Sequence, residues 1–201
     1  MIEIVRGEGL GALTTVEITR RAGIAQPGFY KHFRNVDECL EEATKEVLDG
    51  MRETFGAMRR RIRDRTDPEE VAEHFLAVLD AVAMDPSFNE LIVRYRRDPS
   101  TLGRAIREVE ARIGADFVEE LWGQARNIGL LPEHRDGILR LTELIRGALS
   151  GCVERVLDDP EADRATMARY LAEFSVAGTR ALLGRLLGKS ASRQGDRRGT
   201  S

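Results

Sequence analysis

The sequence predicts an all-α fold. Ala, Leu, Arg and Glu dominate, β-branched runs are scarce, and apolar residues recur at spacings of three and four along nearly the whole chain. Three Asp–Pro pairs, at 67–68, 85–86 and 98–99, punctuate that pattern as helix starts. The 201 residues divide into a small head (1–46), a helical body (47–188) and a Gly/Ser/Arg-rich tail (189–201) whose composition predicts disorder.

In order, IEIVRGEG reads as the end of a helix, with Gly7 and Gly9 as stop signals. Thr14 or Thr15 can N-cap TVEITRRA, which stops at Gly23. Ala25 and Gln26 lead into PGFYKHF, with Pro27 in the first turn, where its missing N–H costs little. Asn35 and Glu38 form a capping box. It opens a long helix with the apolar stripe Val36, Leu40, Ala43, Val47, Met51, Phe55, Met58 and Ile62. Arg59, Arg60, Arg61, Arg63 and Arg65 crowd its end, as the helix dipole favours. Asp67–Pro68 starts a helix with Val71, Phe75, Val78, Leu79 and Val82 inward. Asp85–Pro86 starts a short one through Tyr95, and Asp98–Pro99 a longer one carrying Leu102, Ile106, Val109, Ile113, Phe117, Leu121 and Trp122. NIGLLPEH is a loop. A helix over 135–157 is broken by Asp158, Asp159 and Pro160, and the last helix spans 164–187.

Composition excludes several classes of function. No apolar run is long enough to span a bilayer, and no signal-peptide pattern opens the sequence. Cys39 and Cys152 stand apart in helical patterns and read as free buried thiols in a reducing cytoplasm. There is no Ser–His–Asp pattern, Cys–His pair, phosphate loop or metal spacing, so the chain is not read as an enzyme and no cofactor or metal is expected. Residues 1–34 carry five Lys/Arg against three Asp/Glu, whereas the whole chain has a net charge of −3. A faintly basic head on an acidic body suits a module that meets phosphates.

Residues 15–33 read as two short helices joined by Gly23, Ile24 and Ala25, a turn that favours a glycine with positive φ. Ile18, Ala22, Ile24 and Phe29 are spaced to form the small core between them. Gln26, Gly28, Tyr30, Lys31 and His32 are left for the outer face. Gln26, Pro27 and Gly28 sit at the second helix's N-terminus, the end that meets base edges in helix-turn-helix proteins. Gly28 lets the backbone approach DNA, and Tyr30, Lys31 and His32 can donate to phosphates. On geometry alone, a plain helical corner competes evenly with this reading.

The string TTVEITRRAGIAQPGFYKHFRNVDECL closely resembles the helix-turn-helix of TetR-type transcriptional regulators. Ile18, Ala22–Gly23, Phe29–Tyr30, Phe33, Asn35 and Leu40 stand at the matching positions. The resemblance implies that Thr14 or Thr15 bonds a phosphate and that Gln26, Pro27 and Gly28 face bases. It also implies that Tyr30 and His32 hold the DNA backbone. Val36 stands where the family usually has a lysine, so that contact is lost or passes to Arg34. Thr15 and Thr19 also depart from the family's apolar preferences. The family's helix 1 is longer, so the resemblance implies a natural start upstream of Met1 and a truncated helix 1. Only Ile2, Ile4 and Val5 would then brace the head, which predicts a loosened head if Met1 is the true start.

The resemblance further implies a body that binds a small hydrophobic ligand and dimerises. It implies a homodimeric, cytoplasmic repressor released from double-stranded operator DNA by that ligand. Candidate ligand contacts are Phe75, Leu79, Val82, Phe88, Leu91, Tyr95, Ile106, Phe117, Leu121 and Trp122, though taken singly each better suits plain core packing. LIVRYRRDPSTLGRAI, with FYKHFRNVDE, is similar to the subgroup repressing unsaturated fatty-acid synthesis, whose ligands are acyl thioesters. There Arg94, Arg96 and Arg97 would hold coenzyme A phosphates, unless they form a solvated helix end. Small residues let helices approach closely, so Gly147, Ala148, Gly151, Ala177, Gly178 and Ala181, with Leu144 and Phe174, suit a four-helix dimer interface. The same residues would also suit packing within one chain. The competing functional reading is a helical protein-binding adaptor with a degenerate head.

Overall fold

The computed structural model describes residues 1–62 and 65–198, and every regular element among them is helical. Nine α-helices follow one another: α1 Ile2–Glu8, α2 Thr15–Ala22, α3 Gln26–Tyr30, α4 Val36–Arg60, α5 Pro68–Met84, α6 Pro86–Tyr95, α7 Thr101–Asn127, α8 Arg135–Asp158 and α9 Arg164–Arg198. Short 3-10 turns lie at Leu10–Ala12 and Pro132–His134.

The helix starts follow local hydrogen bonding. Thr14 caps α2 by accepting from the Glu17 N–H at 3.2 Å. The Asp85 carboxylate accepts from the Phe88 N–H at 3.1 Å. At the third Asp–Pro pair, the Asp98 carboxylate accepts from the Ser100 N–H, and the Ser100 hydroxyl accepts from the Gly103 N–H. The helix therefore begins at Thr101, with Ser100 as its cap. At Asn35 the expected capping box is only half made. Asn35 Oδ1 accepts from the Glu38 N–H at 2.8 Å, but Glu38 reaches back to the N–H of Arg34, at 2.6 Å, rather than to that of Asn35. At the other end of the chain, the backbone of α9 continues as helix to Arg198, beyond the stop expected at Leu187; residues 199–201 of the expected tail lie outside the described residues.

The chain folds as two compact units. The first comprises residues 1–55 and 84–112, the second 56–83 and 113–201. Within the first unit, Ile4, Ile18, Phe29 and Cys39 form a buried cluster, with Leu13, Phe33 and Val36 packed against it. The inward positions of α4 here are Leu40, Thr44 and Leu48, whereas Val47 is exposed. In the second unit, Phe75, Leu79 and Val82 pack on Leu141, Ile145, Leu171, Ala172 and Val176, so α5 is seated on the α8–α9 pair. Trp122, Ala125, Leu130 and Ile138 form a separate cluster.

Candidate DNA-binding site

The site is built on the turn between α2 and α3. Gly23 adopts φ 67°, ψ 27°, the left-handed region where a side chain is strained. Its N–H returns to the Arg20 carbonyl, and the Ile24 N–H returns to the Thr19 carbonyl at 3.1 Å. This pair of bonds is a Schellman ending, which satisfies the last carbonyls of α2. Closing it carries Ile24 outside both helices. Ile24 is 48% exposed and Ala22 is also exposed, so neither joins the core expected of them. Ile4 and Cys39, from α1 and α4, take those places beside Ile18 and Phe29.

Phe29 is the pivot of α3. Its ring is buried, edge-on to Tyr30 at 5.4 Å and tilted against Phe33 at 5.4 Å. With Phe29 fixed inward, Gln26, Pro27 and Tyr30 are exposed, and Gly28 is half-buried. Lys31 and His32 lie just past the end of α3 in an exposed turn, with the His32 and Phe33 N–H groups both bonded to the Phe29 carbonyl. Thr15 Oγ1 lies 3.4 Å from the Tyr30 hydroxyl, so residues 15 apart in sequence meet at the start of α2. Thr14 is exposed beside them; its oxygen takes the Glu17 N–H, and its own O–H is available to a phosphate. Thr19 is buried, and its hydroxyl donates to the Thr15 carbonyl at 2.8 Å, which resolves the polar group within α2 itself.

Most of the head's cations are already engaged. Arg20 and Arg21 both bind Glu17, and hydrogen bonds from them hold the Glu17 carboxyl down to about 2. Arg21 also pairs with Glu8. Arg34 pairs with Glu38 at 3.0 Å. Lys31 has no carboxylate partner among the described residues and is the charge most open to a phosphate. The Arg34–Glu38 pair follows the i,i+4 spacing, but the freedom of Lys31 is not visible in residue spacing alone.

The other expected sites divide between the units. Phe88, Leu91 and Ile106 in the first unit line a cavity of about 10 Å³ with Val5, Leu40, Thr44 and Leu102. That is far below the roughly 300 Å³ at which small-molecule pockets begin. Tyr95 is buried there too, while Arg94 is exposed and stacks over the Tyr95 ring at 5.6 Å. Phe75, Leu79 and Val82 lie in the main core of the second unit, with Phe117 partly buried against it. Trp122 is in the smaller cluster, with Leu121 against it. Of the dimer candidates, Leu144 and Phe174 are 65% and 56% exposed, and Gly147, Gly151, Ala177 and Ala181 are exposed. Ala148 packs into the core, and Gly178 lies against Leu141 within the chain. No group of His, Cys, Asp and Glu among the described residues is arranged to hold a metal, and no described helix is long and apolar enough to cross a membrane.

A Schellman-linked helix pair with an aromatic pivot, set in an all-helical chain, has the form of a helix-turn-helix. Residues 3–43 match the family model described as bacterial regulatory proteins, tetR family. The head, residues 3–43, thus matches the N-terminal region of that family. No curated protein matches the chain in sequence. Its fold is similar to that of the transcriptional regulator FadR from Bacillus subtilis, solved in complex with stearoyl-CoA, with a TM-score of 0.67, 17% identity, and 88% of this chain and 94% of that chain covered. A TetR-family regulator from Mesorhizobium loti gives a TM-score of 0.67 at 16% identity, covering 91% of each chain. FadR from Thermus thermophilus, a repressor solved with lauroyl-CoA, gives 0.59 at 17% identity, covering 88% and 90%.

Proposed function

We propose that the protein is a homodimeric, cytoplasmic repressor that leaves its operator when a small hydrophobic ligand, of the acyl thioester kind, binds the helical body. The observation that carries the DNA-binding half is the division of one short helix by Phe29. That ring is buried, and Gln26, Pro27, Tyr30, Lys31 and His32 are exposed around it, beside Thr14 and Thr15. Gln26, Pro27 and Gly28 read bases; Thr14, Thr15, Tyr30, Lys31 and His32 hold phosphates. Arg34 reaches a phosphate only by releasing Glu38. The exposed apolar and small residues of α8 and α9 support dimerisation, since Leu144 and Phe174 have no cover within the chain. Two heads then read half-sites about 34–36 Å apart. The ligand acts by population shift, favouring the dimer whose heads no longer match that spacing. The stearoyl-CoA and lauroyl-CoA bound to the FadR structures support the ligand class.

Fluorescence anisotropy with the DNA upstream of the gene tests this reading. Specific binding that weakens steeply with salt and is reversed by an acyl thioester is expected. Failure to bind that DNA at any salt would favour the protein-binding adaptor.

A further inference from the structure

In the first unit, α4 and α7 face each other along a short apolar stripe. Leu40, Thr44 and Leu48 of α4 and Leu102 and Ile106 of α7 line the same cavity of about 10 Å³. On each helix these residues recur every four positions, so a slide of one turn sets one apolar step on the next. The packing there is loose. The Thr44 hydroxyl is 97% buried, with only 3% of the residue exposed, and has no hydrogen-bond partner among the described residues. A gap and an unmet donor both weaken the preference of the stripe for one alignment.

A row of charges flanks this stripe. On α4 it runs Glu41, Lys45, Asp49, and on α7 Arg104, Glu108, Arg112, both at four-residue spacing and both alternating in sign. Asp49 and Arg112 form an ion pair at 3.4 Å. Lys45 donates to Glu41 along α4. That hydrogen bond first, and the charge of Arg104 as well, hold the Glu41 carboxyl below its usual range. The bond to Glu41 first, and then the charge of Glu108, hold the Lys45 ammonium above its usual range, against the opposing charge of Arg112. The facing pairs are therefore Glu41–Arg104, Lys45–Glu108 and Asp49–Arg112, and the two helices run in the same direction. All six side chains are half-buried or exposed, so each pair taken alone stabilises little.

We propose that this alternating ladder, rather than the apolar stripe, fixes the register of α4 on α7. Its effect lies in the registers it forbids. A slide of one turn, about 6 Å, sets Glu41 beside Glu108 and Lys45 beside Arg112. A slide the other way sets Lys45 beside Arg104 and Asp49 beside Glu108. Every pair made by sliding carries like charges, which repel and so exclude the wrong alignment. The register reaches the head because α4 carries it: Val36 and Cys39 of α4 pack with Phe29 of α3. A slid α4 would take Phe29, and with it the exposed face of α3, along α7.

Exchanging the central pair separates register from strength. K45E and E108K each set like charges side by side and should lower the melting temperature of the full chain by about 2 °C at low salt. Those losses should shrink in 1 M salt, where charges are screened beyond roughly 3 Å. K45E/E108K should lose less than the sum of the two single variants. Yet it makes the ladder uniformly acidic on α4 and uniformly basic on α7, so every register becomes attractive. Methyl NMR of Leu40, Leu48, Leu102, Ile106 and Val109 should then show doubled or broadened signals where the wild-type chain gives one sharp set. Additive losses, or losses unmoved by salt, overturn the ladder. A double variant with one sharp set of methyl signals overturns its hold on register and leaves apolar packing as the cause. The measurements use no DNA, so their outcome is separate from that of operator binding.

Discussion

A methyl group on Gly28 would meet nothing within 4 Å. Gly28→Ala is therefore expected to leave thermal stability unchanged or slightly raised, yet to weaken operator binding about tenfold, or ~1.4 kcal/mol, if the backbone there approaches the bases as proposed. Unchanged affinity in anisotropy would remove α3's N-terminus from the interface. Lys31→Ala tests the free cation: affinity should fall alike on operator and unrelated DNA, and the slope of log K against log salt should shrink by about 1 per head. His74 makes a different prediction. Burial first, then Arg59 and Arg65, lower its pKa from 6.5 to about 4. Between those values the unfolded chain binds a proton that the folded chain refuses, so stability falls as pH drops from about 6.5 toward 4. At about 1.4 kcal/mol per pH unit, His74→Gln should relieve up to ~3 kcal/mol of that acid penalty. Urea unfolding of both proteins across pH 4.5–7 measures the difference.

The helix ends carry their own tests. Thr14→Ala removes the cap of α2 and is expected to cost about 1 kcal/mol of stability, together with DNA affinity if Thr14 holds a phosphate as proposed. At this scale the fold was largely legible, because capping is local: Thr14, Asn35 and Asp85 cap the helices that their spacing announces. The third Asp–Pro pair misled by two residues because Ser100 lies within reach of the Gly103 N–H and takes over the cap. Ile24 misled for a different reason. Helical spacing places it inward, but the left-handed Gly23 breaks the helix before that spacing can apply. Within the candidate site, the exposed residues of α3 were legible once Phe29 was read as its inward anchor. The Arg59–Arg65–Glu120 cluster of the second unit, where both arginines bind one carboxylate, was not. Glu120 lies more than fifty residues from both arginines, and the arginines look in sequence like an ordinary basic helix end.

At the scale of the whole molecule, the proposed function depends on pairing. Leu144→Glu or Phe174→Glu places a charge on the uncovered face of α8 or α9. Light scattering should report a monomer that stays folded, and operator affinity should fall far more than non-specific affinity, since one head alone cannot read two grooves. Gly147 and Gly151 have open space around them within one chain, so tryptophan at either position should block the dimer without disturbing the protomer. The pairing of Arg20, Arg21 and Arg34 with the head's own carboxylates has a consequence for the search along a chromosome. Random DNA attracts a protein through uncommitted cations, and among the described residues of this head such cations are scarce. If the head reads DNA as proposed, it should then be held only briefly at wrong sites, and few molecules should be sequestered by the excess of competing sequence.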